Sequence, residues 1–266
     1  MKKGIFNNLP SAEYFAAKRL NNSGIKQLLR SPMHYKNSLE APRLETKALT
    51  IGSAVHCAIL EPNRFDVDYT FAPENLDKRT KAGKAAWDEL ESSEKTVLSF
   101  NDYTDVLSIS HAVKEHPTAK KLIKNGHAEV TIFSEIDDVL TKARMDYYLP
   151  NANVIIDLKT TDDASPSAFA RSVASYGYDI QAAWYIDNAQ ALDIYIETFV
   201  FIVVEKTSPH AVALYELDPA SIEVGRSKYQ HALHLYKHCL ATGEWPGYSE
   251  NIQTLSLPAW AMREAA

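Results

Sequence analysis

Along the first 125 residues of the chain, apolar positions recur at helical spacing. In SGIKQLLRSPMHYKNSL, Ser23 reads as an N-cap and Pro32 as the residue that ends or kinks the helix. ETKALTIGSAVHCAILEP is apolar nearly all round, which predicts a buried helix stopping at Pro62. TKAGKAAWDELESS and NDYTDVLSISHAVKEH read as exposed amphipathic helices, the second closed by Pro117. From Ala128 the period falls to two. AEVTIFSE and VLTKARMDYYL alternate as strands do, and NVIIDLKTT is more continuously apolar. SPSAFARSVASYGYDIQAAWYIDNAQ returns to helix with a break near Gly177, YIETFVFIVVEK and HAVALYEL are strands, and PASIEVGRSKYQHALHLYKHCLATG is a long helix. The order predicts a single α/β or α+β domain over 1–266: a mainly helical part over 1–125, then a central mixed sheet with flanking helices over 126–266.

One strand breaks its own pattern. Val154, Ile155, Ile156 and Leu158 suit a strand covered on both sides, yet Asp157 and Lys159 interrupt them. Side chains alternate across a strand, so these two charges share a face. Pro150–Asn153 reads as the loop of a hairpin. If it is, Leu149 faces Val154, and counting outward sets Asp146 opposite Asp157. Like charges directly opposed destabilise a strand pair, so the carboxylates must share a proton, find cations or hold a metal. A structural ion network of Asp146, Asp157, Lys159 and Arg144 is one solution. An all-oxygen Mg²⁺ or Mn²⁺ site beside an ammonium, as phosphodiester hydrolysis needs, is the other. On this reading, removing either Asp relieves repulsion in the metal-free protein and leaves the fold intact.

Composition narrows the classes. Of 266 residues 45% are hydrophobic, enough for a sizeable core, and the net charge of -6 gives no global basic field for coating nucleic acid. Two cysteines, Cys57 and Cys239, cannot supply a four-cysteine cluster. MKKGIFNNLPSAEYF has no apolar core of a signal peptide, and no apolar stretch is long enough to span a bilayer, so a cytoplasmic protein with no membrane partner is expected. KAGKAAWD lacks the upstream Gly and following Ser/Thr of a Walker A loop. His231, His234 and His238 fall near one helix stripe without a convincing fourth ligand, and read as packing or surface. Arg79, Lys81 and Lys84, in a run with Lys78, could touch phosphates or simply solvate a helix start.

Asp146 followed by Asp157-Leu158-Lys159 on the next strand resembles the PD-(D/E)XK nuclease pattern. Gln181-Ala-Ala-Trp-Tyr185 resembles the QxxxY motif of its RecB/lambda-exonuclease branch. Gly52-Ser-Ala-Val-His56-Cys-Ala-Ile-Leu-Glu-Pro62, Arg79–Lys84, Gly126-His-Ala-Glu129 and Leu255-Ser-Leu-Pro-Ala-Trp260 extend the likeness to RecE-type exonucleases, the nuclease domain of exodeoxyribonuclease VIII, over nearly the whole chain. The sequence departs from that family in lacking its long N-terminal extension and in having Met145 where Pro often precedes the first Asp. The resemblance implies a Mg²⁺-dependent 5′→3′ exonuclease, with Mn²⁺ as substitute. Such an enzyme digests linear double-stranded DNA to mononucleotides and leaves 3′ single strands for a RecT-type annealing protein. It implies a ring-like homo-oligomer, a tetramer by analogy. It also implies that Asp146, Asp157, the Leu158 carbonyl and His56 ligate metal, and that Lys159 positions water. Glu129 would sit at the site edge, and Gln181 and Tyr185 would support Lys159 or the phosphate. Without the resemblance, His56 reads as a core histidine beside the small residues Gly52, Ser53 and Ala54, which invite close packing by the sheet. A PD-(D/E)XK endonuclease and a non-catalytic DNA-end-binding module are the alternatives.

Overall fold

The protein is described by a computed structural model covering residues 2–41, 46–77 and 79–257. Lys78 and the Pro258, Ala259 and Trp260 part of the tail motif lie outside the described residues. The strands are β1 (Gly4–Phe6), β2 (Tyr69–Ala72), β3 (Thr96–Ser99), β4 (His127–Ile136), β5 (Val139–Leu149), β6 (Val154–Thr161), β7 (Thr198–Glu205) and β8 (Val212–Glu216). The helices are α1 (Ser11–Ala16), α2 (Asn22–Arg30), α3 (Pro32–Ser38), α4 (Lys47–Leu60), α5 (Pro62–Asp68), α6 (Lys81–Ser92), α7 (Phe100–Glu115), α8 (Ala119–Leu122), α9 (Pro166–Tyr176), α10 (Tyr178–Gln190) and α11 (Pro219–Thr242).

A mixed sheet in the order β1-β4-β5-β6-β7-β8 forms the centre, with β6 and β7 parallel and its other neighbours antiparallel. The fold is therefore α/β, as the change of period at Ala128 predicts. Parallel strands buried on both faces need apolar side chains on both, which explains the near-continuous run in NVIIDLKTT. One face packs on α2, α9, α10 and α11, around the fully buried Trp184 and Tyr229. The other packs on α4 and α7 through Val55, Ala58, Val106 and Ile109. The N-terminal part also carries what its helical periodicity hid: β1, three residues long, on the sheet edge, and the small parallel pair β2 and β3. Such short strands are too brief to show a period.

Two helix boundaries differ from expectation. Asn21 caps α2, accepting the Gly24 N–H, so Ser23 already lies inside the helix. Ser31 caps α3 and Pro32 opens it, because proline's missing N–H costs nothing at the first position of a helix. Helix α4 is also less buried than its composition suggests. Thr46 caps it, but only its second half is covered; Leu49 is 54% exposed. No atom stands within 4 Å of where a Gly52 side chain would begin, so that glycine faces open space rather than a close-packed sheet.

Candidate active site

The hairpin register follows from its loop. Leu149 pairs with Val154, Tyr148 with Ile155, and Tyr147 with Ile156. The ladder stops there, one pair short of Asp146 and Asp157. Beyond that point β6 runs on against β7 as far as Thr161 and Glu205, while β5 continues against β4. The two strands thus part in a fork, and the predicted direct opposition of carboxylates is replaced by a bridge: the Leu158 N–H donates to Asp146 Oδ2 at 2.9 Å. A carboxylate supplies the acceptor that the interrupted ladder lost.

A change of face in β4 and β5 produces the fork. Val130 and Ile132 pack with Met145 on the α10 face, whereas Ala128 and Tyr147 pack on the α4 face. Strict alternation would keep each series on one side. The switch falls at Glu129, whose φ of 51° is left-handed, and at the facing Asp146; the ladder pairs Ala128 with Tyr147 and Val130 with Met145 around them. A non-glycine residue held in that region is a strained backbone, found where a strand is bent for a purpose.

The fork gathers charge in a confined space. Asp157 has no exposed surface. Its Oδ1 accepts the Gln181 side-chain N–H at 2.5 Å, and its Oδ2 takes no hydrogen bond of ordinary geometry, meeting the Lys159 ammonium as an ion pair. Burial pushes the Asp157 carboxyl above the ordinary aspartate range, and the neighbouring Asp146 adds to it against the pull of Lys159. Burial alone would lower the Lys159 ammonium, but Asp157 and Asp146 outweigh it and hold it above the usual lysine value. His56 Nδ1 stands 3.4 Å from Asp146 Oδ2, with 28% of its side chain exposed. Glu129 is raised to about 7, by burial first and by Asp146 next, with Arg144 opposing. Arg144 reaches Glu129 at 3.7 Å and donates to Thr131, Ser11 and the Leu9 carbonyl, tying the N-terminal segment to the sheet.

His56, Glu129, Arg144 and Thr160 line a cleft of 990 Å³ with Glu61, Arg64 and Asp68 from the α4–α5 corner. Of the residues singled out in the sequence, Asp146, Asp157, Leu158, Lys159, His56, Glu129 and Gln181 meet at or beside the fork. Gln181 holds Asp157 rather than Lys159. Tyr185 lies deeper, only 9% exposed, its ring 6.1 Å from Phe199, and burial raises its hydroxyl well above the usual tyrosine value. Arg79, Lys81 and Lys84 do not line the cleft: Thr80 caps α6, and exposed Arg79 is bound to Asp77 at 2.9 Å. His231, His234 and His238 are exposed on α11.

Two further groups belong to the site. Lys159 and Lys26 both lie over the Tyr178 ring, at 4.7 and 5.7 Å. Burial, with Lys159 adding to it, lowers the Lys26 ammonium to about 8. Tyr178 precedes Gln181 by three, so helical spacing could have found it. Lys26 comes from α2, and no local pattern relates it to β6.

Among the described residues, no three His, Cys, Asp or Glu side chains stand close enough together to hold a metal ion as they are arranged. The donor types nonetheless fit a hard divalent cation: two carboxylates, one of them with a buried oxygen short of hydrogen bonds, and a nearby imidazole.

Comparison with known proteins agrees with this arrangement. The family model for the PDDEXK-like domain of unknown function (DUF3799) matches residues 21–258. A crystal structure of a Eubacterium rectale protein, provisionally named an exonuclease, is similar with a TM-score of 0.67 at 16% identity, over 97% of this chain and 98% of that one. A phage-related exonuclease of Haemophilus somnus 129PT aligns with a TM-score of 0.38 at 13% identity, over 88% of this chain and 100% of that one. None of the curated proteins matches the sequence.

Proposed function

We propose that this chain, which belongs to the PDDEXK-like family DUF3799, is a nuclease, and more narrowly a Mg²⁺-dependent 5′→3′ exodeoxyribonuclease acting on linear double-stranded DNA. The observation that carries the nuclease reading is the fork, where buried Asp157, its Lys159 and Gln181 partners, and Asp146 converge beside an open cleft. A binding module has no use for buried carboxylates that repel phosphate. The finer reading, with mononucleotide products, 3′ single strands and a RecT-type annealing partner, is supported by the likeness of the Gly52–Pro62 and Gly126–Glu129 segments to RecE-type exonucleases.

Asp146, Asp157, the Leu158 carbonyl and His56 would hold the ion, with Mn²⁺ as a substitute and Glu129 at the edge. The bound ion supplies charge stabilisation for the phosphodiester and a more acidic water. The chain's own residues orient the rest. Lys159 stands where it can hold a water or a phosphate oxygen, Gln181 fixes the plane of the Asp157 carboxylate, and Tyr185 packs behind both.

Digestion of 5′-phosphorylated linear duplex and of covalently closed circles, each with and without Mg²⁺, tests this reading. Linear DNA is expected to lose nucleotides from its 5′ ends only with Mg²⁺, and circles to survive. Internal cuts in circles at a comparable rate would instead make it an endonuclease. End binding without hydrolysis under any divalent ion would make it a non-catalytic module.

A further inference from the structure

Strand β6 ends between two recesses. Thr160 borders both the large cleft and a smaller pocket of 410 Å³ on the α9 side. Lys159 lines the smaller pocket, so the ammonium at the fork is also part of its wall. The volume lies toward the lower end of small-ligand sites, which run from about 300 to 1,000 Å³. It suits one nucleotide and is too small for a duplex.

The remaining wall comes largely from one face of α9, where Arg171, Ser172, Ser175 and Tyr176 recur at helical spacing over the buried Phe169. The other charges are already engaged. Lys206 holds Asp162 at 2.9 Å, and Asp163 accepts the Ser165 N–H at 2.8 Å. Arg171 is exposed, and no hydrogen bond ties it within the described residues, which leaves its guanidinium for an incoming anion. The two tyrosines divide similarly. The Tyr178 ring is covered by Lys159 and Lys26, whereas Tyr176 is 62% exposed with its ring centre 5.7 Å from that of Tyr178. An exposed aromatic face beside a cation is the means by which proteins hold an unpaired nucleotide, because every base can stack and every nucleotide carries a phosphate.

We propose that this pocket receives the terminal nucleotide of the strand being cut, with its base on Tyr176 and its phosphate on Arg171, while the duplex lies in the large cleft. The inference rests on the nuclease reading and deepens it: the bond at Lys159 is then the one joining a single nucleotide to the rest of the strand, and the unit released is a nucleoside monophosphate.

The test is a titration of metal-free protein, in EDTA, with thymidine 5′-monophosphate, thymidine and inorganic phosphate, followed by NMR. Wild type, Arg171→Ala, Tyr176→Ala and Tyr176→Phe are compared; both positions are exposed, and circular dichroism checks that each variant is folded. The monophosphate should bind more tightly than either fragment. Arg171→Ala should weaken it at least about tenfold and leave thymidine unaffected, since only the phosphate contact is lost. Tyr176→Ala should weaken both the monophosphate and thymidine roughly fivefold or more, and Tyr176→Phe should restore them. No binding of the monophosphate, equal binding by all four proteins, or binding no tighter than that of inorganic phosphate overturns the proposal. The same preparations are assayed on linear duplex with Mg²⁺. Hydrolysis with variant-insensitive binding removes the pocket and leaves the nuclease reading. The expected binding pattern in a protein that hydrolyses no DNA removes the nuclease reading and leaves a nucleotide site.

Discussion

Asp157 and Lys159 are each stranded without the other. The structure revises the expectation that removing the carboxylate only relieves repulsion, because the Lys159 side chain is 17% exposed and has Asp157 as its counter-charge. Breaking a buried pair from one side costs about 3–5 kcal/mol. Asp157→Ala is therefore expected to destabilise the metal-free protein by that order, and adding Lys159→Met should recover most of it. Urea denaturation of the two single variants and the double variant measures the coupling; additive losses would show that the pair is not a unit. Glu129 behaves differently because its proton is shared between folding and pH. Its folded pKa of about 7 exceeds the ordinary 4.5, so between those values the native state holds a proton that the unfolded chain releases. Its contribution is fully present below about 4.5 and is lost as pH rises through about 7. Glu129→Gln, which cannot ionise beside Asp146, should melt progressively higher than wild type from pH 5 to pH 8 in EDTA. Parallel melting curves across that range would remove the charge argument.

At the scale of elements, the site depends on how closely α11 approaches α10. A side chain at Gly225 would begin 2.1 Å from the Asp179 carbonyl oxygen, and Lys228 and Arg226 hold Asp179 and Asp187 at 2.6 and 2.7 Å. Helix α10 carries Gln181 two residues after Asp179. Gly225→Ala should thus cost at least about 1–3 kcal/mol by forcing the helices apart, and should also slow cleavage by moving Gln181 off Asp157. Gly52→Ala makes the opposite case. It lies inside α4 with nothing within 4 Å, so relief of glycine's helix penalty should raise stability by up to about 1 kcal/mol. Thermal melts of the two variants should move in opposite directions; a Gly225→Ala protein that melts like wild type would show that the contact can give.

For the whole molecule, the difficulty is holding DNA with an acidic chain. The net charge is -6, and the cleft sets Glu61, Asp68 and Glu129 beside Arg64 and Arg144. Arg64 is itself bound to Glu61 and Asp68 at 2.8 and 2.7 Å. One chain therefore offers a phosphate backbone few cations that are not already neutralised. We propose that copies assemble into a closed ring, a tetramer by analogy with RecE-type enzymes, in which basic residues from several chains face one channel. Multi-angle light scattering at micromolar concentration should find the oligomer, and processive digestion by a protein that stays monomeric would remove the argument. No helix among the described residues is long and apolar enough to cross a membrane.

Local order in the sequence determined most of the scaffold. Helices and strands from Ala128 to Gly243 lie where the apolar period places them, because 3.6-residue and two-residue spacings are written in neighbouring side chains. Pro150–Asn153 set the hairpin register, and the Asp157/Lys159 spacing put both charges on one face. Short-range pattern carried no information about the fork. Periodicity assumes an unbroken ladder, and the face switch at Glu129 and Asp146 breaks it through one left-handed residue that local spacing does not announce. Nor could spacing show that Gln181 grips Asp157, that Lys26 shares the Tyr178 ring with Lys159, or that Arg79, Lys81 and Lys84 stand away from the cleft. Those relations join residues up to 133 positions apart, Lys26 and Lys159 being the farthest. The sequence alone determined which residues could do chemistry. Tertiary structure decided which of them meet, because burial and pairing depend on packing between elements that no local pattern records.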